Sequence, residues 1–166
     1  MSIERLAAIG ARAGAILVAR GQTLAVVDGA TGGLVSAGLL AMPGASRFYA
    51  GGGVIYTLKG RRIVLGHEPG SLRGLTSATP DYALAQARLI RERYQADWGV
   101  AETGAAGPGT HPLGVASGTS AVAVAGPDGI AATREVITGH DDRMANMIAF
   151  AAAALELLAE TLQSAP

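Results

Sequence analysis

The sequence predicts a three-layer α/β/α fold with a mixed, mostly parallel sheet of about five strands, in one domain spanning residues 1–166. Two observations predict it. Short runs of β-branched and apolar residues alternate with segments of helical periodicity, and the last two such runs flank a tight turn. Strands separated by helices favour parallel pairing, and the late hairpin makes the sheet mixed.

The chain begins with a helix, a strand and a second helix. Apolar residues recur at helical spacing over 3–20, and Gly21 stops that helix. A β-branched and apolar run follows at 23–27 and is typical of a strand. Thr31 is a candidate N-cap for a helix over 32–41, which a Pro-Gly pair ends.

The middle of the chain continues the alternation. Residues 46–50 are typical of one helical turn, 53–57 of a strand and 60–66 of a short helix. The segment 79–81, Thr-Pro-Asp, is a strong helix start, because a capping hydroxyl precedes a proline and an acid in the first turn. That helix is predicted to end at about Tyr94.

The last third of the chain predicts three strands and a helix. Residues 96–103 form a strand that enters a loop rich in Gly and Pro. Residues 120–125 and 131–138 flank Gly-Pro-Asp-Gly and predict a hairpin. Asp141 or Asp142 opens the last helix, which runs to about position 162.

Composition narrows the classes of function. The chain has no cysteine, which excludes disulfides, thiolate catalysis and cysteine-ligated metals. Its formal net charge is zero and no basic run occurs, so we expect neither nucleic acid nor membrane as a partner. The longest apolar run, 147–155, is far shorter than the roughly 20 residues that span a bilayer. We therefore expect a cytoplasmic protein, and a homo-oligomer, since small α/β subunits often pair symmetrically.

We expect no metal and no cofactor. The three histidines, His67, His111 and His140, each stand alone, without the spacing of a metal-binding motif.

Three glycine-rich segments follow predicted strands, where ligands bind in sheets of this kind. Thr31, Gly32 and Gly33 open a helix, so their N–H groups could bind an anion, or the glycines could serve close packing. Thr103 begins the second segment, in which Gly104 and Gly107 either turn backbone amides toward a ligand or only tighten a loop.

The third segment, residues 139–143, contains a cation in an unfavourable place. Arg143 lies in the predicted first turn of the last helix, where a positive charge opposes the helix dipole. Pairing with an anionic substrate would offset that mismatch.

Ser46, Tyr56 and Lys59 are candidates for catalysis. Lys59 is the only lysine beside 12 arginines, and a desolvated lysine can take a proton from a serine. Ser46 could be such a nucleophile or simply an N-cap.

Motifs in the first half of the chain have counterparts in a known family. Residues 27–33 stand where that family carries Ala-Glu-Ser-Cys-Thr-Gly-Gly. Residues 43–46 match its Pro-Gly-Ala/Ser-Ser turn, and Tyr56 matches the tyrosine that ends its next strand.

Motifs in the second half continue the match. Residues 103–108 correspond to the family's Thr-Gly-Ile-Ala-Gly-Pro loop, 118–119 to its Gly-Thr strand entry and 142–143 to its Gly-Asp-Arg helix start. From about residue 3 to 162 the chain therefore resembles, as a divergent member, the CinA C-terminal domain family, which includes the PncC-type nicotinamide mononucleotide deamidases.

The resemblance implies a three-layer α/β fold and a pocket for a pyridine mononucleotide. The implied reaction is hydrolysis of the nicotinamide mononucleotide carboxamide to a carboxylate and ammonia by a metal-free Ser/Lys pair. Carried over, Ser46 is the nucleophile, Tyr56 its neighbour, and Thr103 and Arg143 the polar frame.

The chain departs from the family at two single positions and in the loop 109–117, which lacks the family's Lys-Pro-Val. The family lysine falls at Arg61, whose guanidinium stays protonated, which leaves Lys59 as the only amine for the role. Gly29 stands where the family has a serine. Three hypotheses follow: an amidohydrolase that uses Ser46 and Lys59, a relative that binds a mononucleotide or similar anion without hydrolysing it, or a scaffold or oligomer subunit whose pocket is vestigial.

Overall fold

The computed structural model describes residues 2–66, 70–109, 111 and 114–166. Their helices and strands, apart from short 3₁₀ turns, are α1 (Ile3–Arg20), β1 (Leu24–Asp28), α2 (Leu34–Leu40), β2 (Tyr49–Val54), α3 (Leu58–Leu65), α4 (Pro80–Tyr94), β3 (Trp98–Ala105), β4 (Thr119–Ala125), β5 (Ala131–Ile137) and α5 (Arg143–Ser164).

The sheet has five strands in the order β2-β1-β3-β4-β5. β1 pairs in parallel with β2 and β3, whereas β4 runs antiparallel to β3 and to β5. Four strands thus point one way, and the predicted mixed, mostly parallel three-layer fold is confirmed. The carboxyl ends of β1, β2, β3 and β5 meet at one edge, together with the start of β4. This edge, the carboxyl edge, is where a ligand site is expected.

Two helical layers cover the sheet. α1, α2 and α5 pack on one face around Leu6, Leu39 and Leu155, all fully buried. α4, with α3 beside it, packs on the other face around Ala83 and Ile90. Within the described residues α5 is the one helix whose length and composition would suit a membrane span, but 67% of its apolar window is buried in this core.

Among the predicted elements, the strand over 53–57 differs most from the structure, where it is β2 at Tyr49–Val54. β2 begins at Tyr49 rather than at 53, because the Gly51–Gly53 run pairs with β1. Glycine is required there: a Cβ on Gly52 would lie 2.2 Å from the carbonyl oxygen of Val26. Tyr56 consequently lies two residues beyond the strand that it was predicted to end.

Candidate functional site

A pocket of about 590 Å³ opens at the carboxyl edge. Its wall comes from the segments after β1, β2 and β3, from the starts of α3 and α5, and from one face of α4. The polar side chains on this wall are Tyr56, Thr57, Arg61, Ser77, Tyr82, Gln86, Glu102, Thr103, His111 and Arg143.

The Asp28 side chain binds the amino end of α2. It accepts hydrogen bonds from the backbone N–H groups of Val35 (2.9 Å) and Ser36 (3.2 Å), and from the hydroxyls of Thr31 (2.7 Å) and Ser36 (2.6 Å). The donors that a helix of this kind would offer to an anion are therefore used within the protein.

The anion site predicted at positions 31–33 is consequently not present in that form. Gly32 and Gly33, both with positive φ, form the turn before α2 and do not line the pocket. Thr31 is fully buried against Asp28 and is not the N-cap, since Gly33 holds that position.

Glu102 is a fully buried acid in the pocket wall that sequence reasoning missed. It accepts hydrogen bonds from the Thr31 N–H (2.9 Å) and from the Ser120 hydroxyl (2.5 Å). Burial raises the pKa of Glu102 to about 7, although these two hydrogen bonds oppose the rise. Its place within an apolar strand was the available signal, because an acid at such a position is seldom fully buried without a role.

The end of β3 and the loop after it reach the pocket. Thr103, Gly104 and Gly107 all line it. The Thr103 hydroxyl oxygen accepts a hydrogen bond from the Ala78 N–H (3.2 Å) and lies 3.3 Å from the Ser77 hydroxyl. Thr103 thus ties the start of α4 to β3 and presents hydroxyl groups at the wall.

Arg143 and Tyr56 meet at the pocket rim. Arg143 donates to the Gly107 carbonyl (2.6 Å) and to the Tyr56 hydroxyl (3.1 Å). Asp142 is the N-cap of α5, and its side chain accepts from the Ala145 N–H. Among the described residues Arg143 has no carboxylate partner, since the ion pair found there joins Arg134 to Glu160. Its charge is available to an anion.

Asn146 holds two of the pocket loops together and was also missed. This fully buried side chain donates to the carbonyls of Ala106 (2.9 Å) and His140 (2.8 Å) and accepts from the Thr138 hydroxyl. It fixes the loop after β3 against the segment that leads into α5.

The inner wall of the pocket contains Arg61, Tyr82 and Gln86. The Arg61 guanidinium lies over the Tyr82 ring, 5.7 Å from its centre, and donates to the Tyr82 hydroxyl. Gln86 lies one helical turn further along α4 and is only 2% exposed. Buried polar atoms of Arg61 and Gln86 have no hydrogen-bond partner in the described part of the chain.

The structure does not bring Ser46 and Lys59 together in the pocket. Ser46 is exposed in the 3₁₀ turn before β2, at the opposite end of a strand about 20 Å long. Lys59 is exposed on α3 and does not line the pocket, whereas Arg61 does. Two residues of helix rotate a side chain by about 200°, which explains why Lys59 faces away. The assignment of Ser46 and Lys59 as a catalytic pair does not fit this geometry.

Positions 29 and 61, unlike Ser46 and Lys59, lie in the pocket wall. Gly29, at the family's serine position, and Arg61, at its lysine position, both line the wall. A Cβ on Gly29 would lie 2.5 Å from the carbonyl oxygen of Glu102, so this backbone has no room for a side chain there without a shift.

The described residues contain no group of histidine and acidic side chains suited to a metal ion. His67 lies outside the described residues.

Comparison with known proteins agrees with the fold and the motifs. The sequence model of the family described as CinA C-terminal domain matches residues 6–162. A CinA-like protein of Acidobacterium capsulatum is 35% identical over 78% of this chain and 31% of its own length. Another, from Desulfosudis oleivorans, is 32% identical over 93% of this chain and 37% of its own length. The chain thus spans about a third of the length of these curated relatives.

Solved structures give the same result. The competence/damage inducible protein CihA from Agrobacterium tumefaciens superposes with a TM-score of 0.85 at 26% identity, covering 94% of each chain. The competence damage-inducible protein A from Klebsiella pneumoniae superposes with a TM-score of 0.83 at 27% identity, covering 100% of each chain. This chain belongs to the CinA C-terminal domain family.

Proposed function

We propose that this chain binds a pyridine mononucleotide, such as nicotinamide mononucleotide, without hydrolysing it by a Ser/Lys mechanism. One observation supports this proposal above the others. The two single positions at which the chain departs from the family motifs both line the pocket, and one of them, Arg61, stands where the implied Ser/Lys pair has its lysine.

Binding is supported by the charge and size of the pocket. Arg143 at the rim and Arg61 further in are two cations, and neither forms an ion pair with a described residue. A guanidinium matches the geometry of a phosphate and binds it by charge-assisted hydrogen bonds. The volume of about 590 Å³ lies within the range of small-molecule sites.

The proposal that no Ser/Lys hydrolysis occurs is supported by the requirement that a serine transfer its proton to a base. A serine attacks an amide only when a nearby base takes its proton, within about 3 Å. The Arg61 guanidinium remains protonated and cannot serve. Ser46 precedes β2 and Lys59 follows it, and both side chains are exposed outside the pocket. Lys59 is therefore not placed to take the proton of Ser46.

The competing hypothesis is an amidohydrolase that releases ammonia from nicotinamide mononucleotide. It requires Lys59 to reach a hydroxyl group inside the pocket, which the position of that residue on α3 opposes.

Replacing Arg143 with alanine should weaken binding of nicotinamide mononucleotide by about 1.5–3 kcal/mol, because charge-assisted hydrogen bonds to the phosphate are lost. Titration calorimetry of the wild type and the variant measures this as an increase in Kd of roughly 10- to 150-fold.

Arg134→Ala is the matched control. It also removes one arginine, but its ion pair with Glu160 lies outside the pocket, so Kd should stay within about twofold of wild type. An equal loss in both variants would mean that only net charge matters. An unchanged Kd in Arg143→Ala would remove Arg143 from the site.

A further inference from the structure

Glu102 is an acid in the pocket wall without a cation to balance it. Its side chain is fully buried, and among the described residues the ion pair joins Arg134 to Glu160 and leaves Glu102 out. Burial without a cation disfavours the charged form of a carboxyl group, and it raises the pKa of Glu102 to about 7. Near neutral pH this side chain therefore exists in both charge states.

The hydrogen bonds around Glu102 accommodate a proton without any movement of the chain. In the ionised state its Oε1 accepts from the Ser120 hydroxyl at 2.5 Å, and its Oε2 accepts from the Thr31 N–H at 2.9 Å. The Ser120 Oγ also lies 3.1 Å from the Thr103 carbonyl oxygen. When Glu102 is protonated, its O–H can donate to the Ser120 oxygen while Ser120 donates to that carbonyl. Both charge states thus keep hydrogen-bond partners.

The carboxyl group of Glu102 lies close behind the surface of the pocket. Gly29 and Glu102 both line the pocket, and a Cβ on Gly29 would lie 3.3 Å from the Glu102 Oε2. A sphere of the pocket's volume, about 590 Å³, is roughly 10 Å across, and at that distance one negative charge favours the neutral form of a carboxyl group roughly tenfold when the effective dielectric constant is about 20. An anion in the pocket therefore acts on Glu102 without contacting it.

The charged groups on the elements around Glu102 do not reverse this effect. Beyond burial, Asp28 at the end of β1 also raises the pKa of Glu102. β4 and α2 carry no titratable side chain. α4 packs on the other face of the sheet, toward which Ala101 points, whereas α5 brings Arg143 to the rim.

The titratable side chains that line the same pocket besides Glu102 are Tyr56, Arg61, Tyr82, His111 and Arg143. The two arginines favour the ionised form of Glu102 while the pocket holds no anion. An anion that pairs with them offsets their charge, which again favours the neutral form. Both contributions of a bound anion thus have the same sign.

We propose that binding of an anionic ligand in this pocket is coupled to uptake of a proton by Glu102, so that the ligand binds more tightly when Glu102 is neutral. The coupling is reciprocal, because a proton that strengthens ligand binding is itself bound more strongly in the complex. This inference rests on the proposed function, since it concerns the phosphate-bearing ligand of the same pocket.

Titration calorimetry with nicotinamide mononucleotide tests the coupling above the second pKa of the ligand phosphate, about 6. The wild type should bind about fivefold more tightly at about pH 6.5 than at about pH 8.5. Glu102→Gln resembles the protonated acid, since its amide donates where the acid O–H does. This variant should bind at the higher pH about as tightly as the wild type does at the lower pH.

The proton itself can be counted by titrations at about pH 7.5 in two buffers of different ionisation enthalpy. The wild type should take up about half a proton per ligand bound, and Glu102→Gln about half a proton less. His111→Gln removes another titratable side chain of the wall and should retain the uptake. Uptake that disappears in His111→Gln but persists in Glu102→Gln would assign the proton to the histidine and overturn the proposal.

The remaining outcomes separate this inference from the proposed function. A wild type that takes up no proton, or an equal dependence on pH in the wild type and Glu102→Gln, overturns the coupling while mononucleotide binding stands. A wild type that binds no mononucleotide at either pH overturns the proposed function, and this inference with it. Thermal unfolding reports whether Glu102→Gln is folded, and the proton uptake of the wild type needs no variant.

Discussion

Replacing Asp28 with alanine is expected to lower the free energy of unfolding by about 3–4 kcal/mol, because hydrogen bonds to a buried charged group contribute strongly and unpaired donors are costly. Asp28 is fully buried and accepts from two backbone N–H groups and two hydroxyls. Its loss leaves the N–H groups of Val35 and Ser36 without partners at the start of α2. Urea denaturation measures the change.

Two variants calibrate this prediction. Asp28→Asn keeps the shape and one acceptor oxygen, so it should cost less than alanine. Ser36→Ala removes one of the four donors, at 2.6 Å from the Asp28 oxygen, and should cost about 1 kcal/mol. A loss below about 1 kcal/mol in Asp28→Ala would contradict the account of how α2 begins.

Glu102 is expected to make stability depend on pH. Burial raises its pKa from 4.5 to about 7 in the folded protein, so the native state binds this proton more tightly than the unfolded chain does. The stability from this group is therefore complete below about pH 4.5 and is lost as the pH rises toward 7. At about 1.4 kcal/mol per pKa unit, the interval corresponds to about 3 kcal/mol.

Glu102→Gln isolates this effect, since glutamine can still accept from Thr31 and donate to Ser120 but does not titrate. Between pH 4.5 and 8, the difference in unfolding free energy should move by about 3 kcal/mol in favour of the variant. Other titrating groups cancel in that difference, apart from the neighbouring Asp28. A difference independent of pH would show that Glu102 titrates normally.

Much of the fold could be predicted because the sequence signals at helix ends agree with the helix ends in the structure. Gly21 ends α1 with a positive φ, and Thr79 caps α4 immediately before a proline. The start of β2 was predicted too late in the chain, because its glycines resemble a loop when their sequence is considered alone. Only their pairing with β1 makes them a strand, and pairing between distant segments is invisible to a local pattern.

The site was predicted in part. Thr103 and Arg143 reach the pocket because both stand next to a boundary that local signals identify, the end of β3 or the start of α5. Ser46 lies away from the pocket because it precedes β2 and therefore stands at the amino end of that strand, opposite the carboxyl edge. Gln86 carried no signal of its own, since a glutamine in a helix is usually exposed.

The backbone around Gly29 leaves no room for the serine side chain that the family carries at this position. Because a Cβ there would lie 2.5 Å from the Glu102 carbonyl oxygen, restoring a serine at this position requires the backbone to move. Gly29→Ser alone is therefore not expected to restore the hydroxyl that the family carries there without a shift of the backbone, and Arg61 would still stand in place of the family's lysine.

Ammonia release under conditions of demonstrated binding tests the central claim most directly. The purified chain is incubated with nicotinamide mononucleotide at a concentration that calorimetry shows to be saturating, and ammonia is followed over time. The account predicts bound ligand and no ammonia above the protein-free rate, with Ser46→Ala and Lys59→Met behaving like the wild type. Ammonia release by the wild type that disappears in either variant would contradict it.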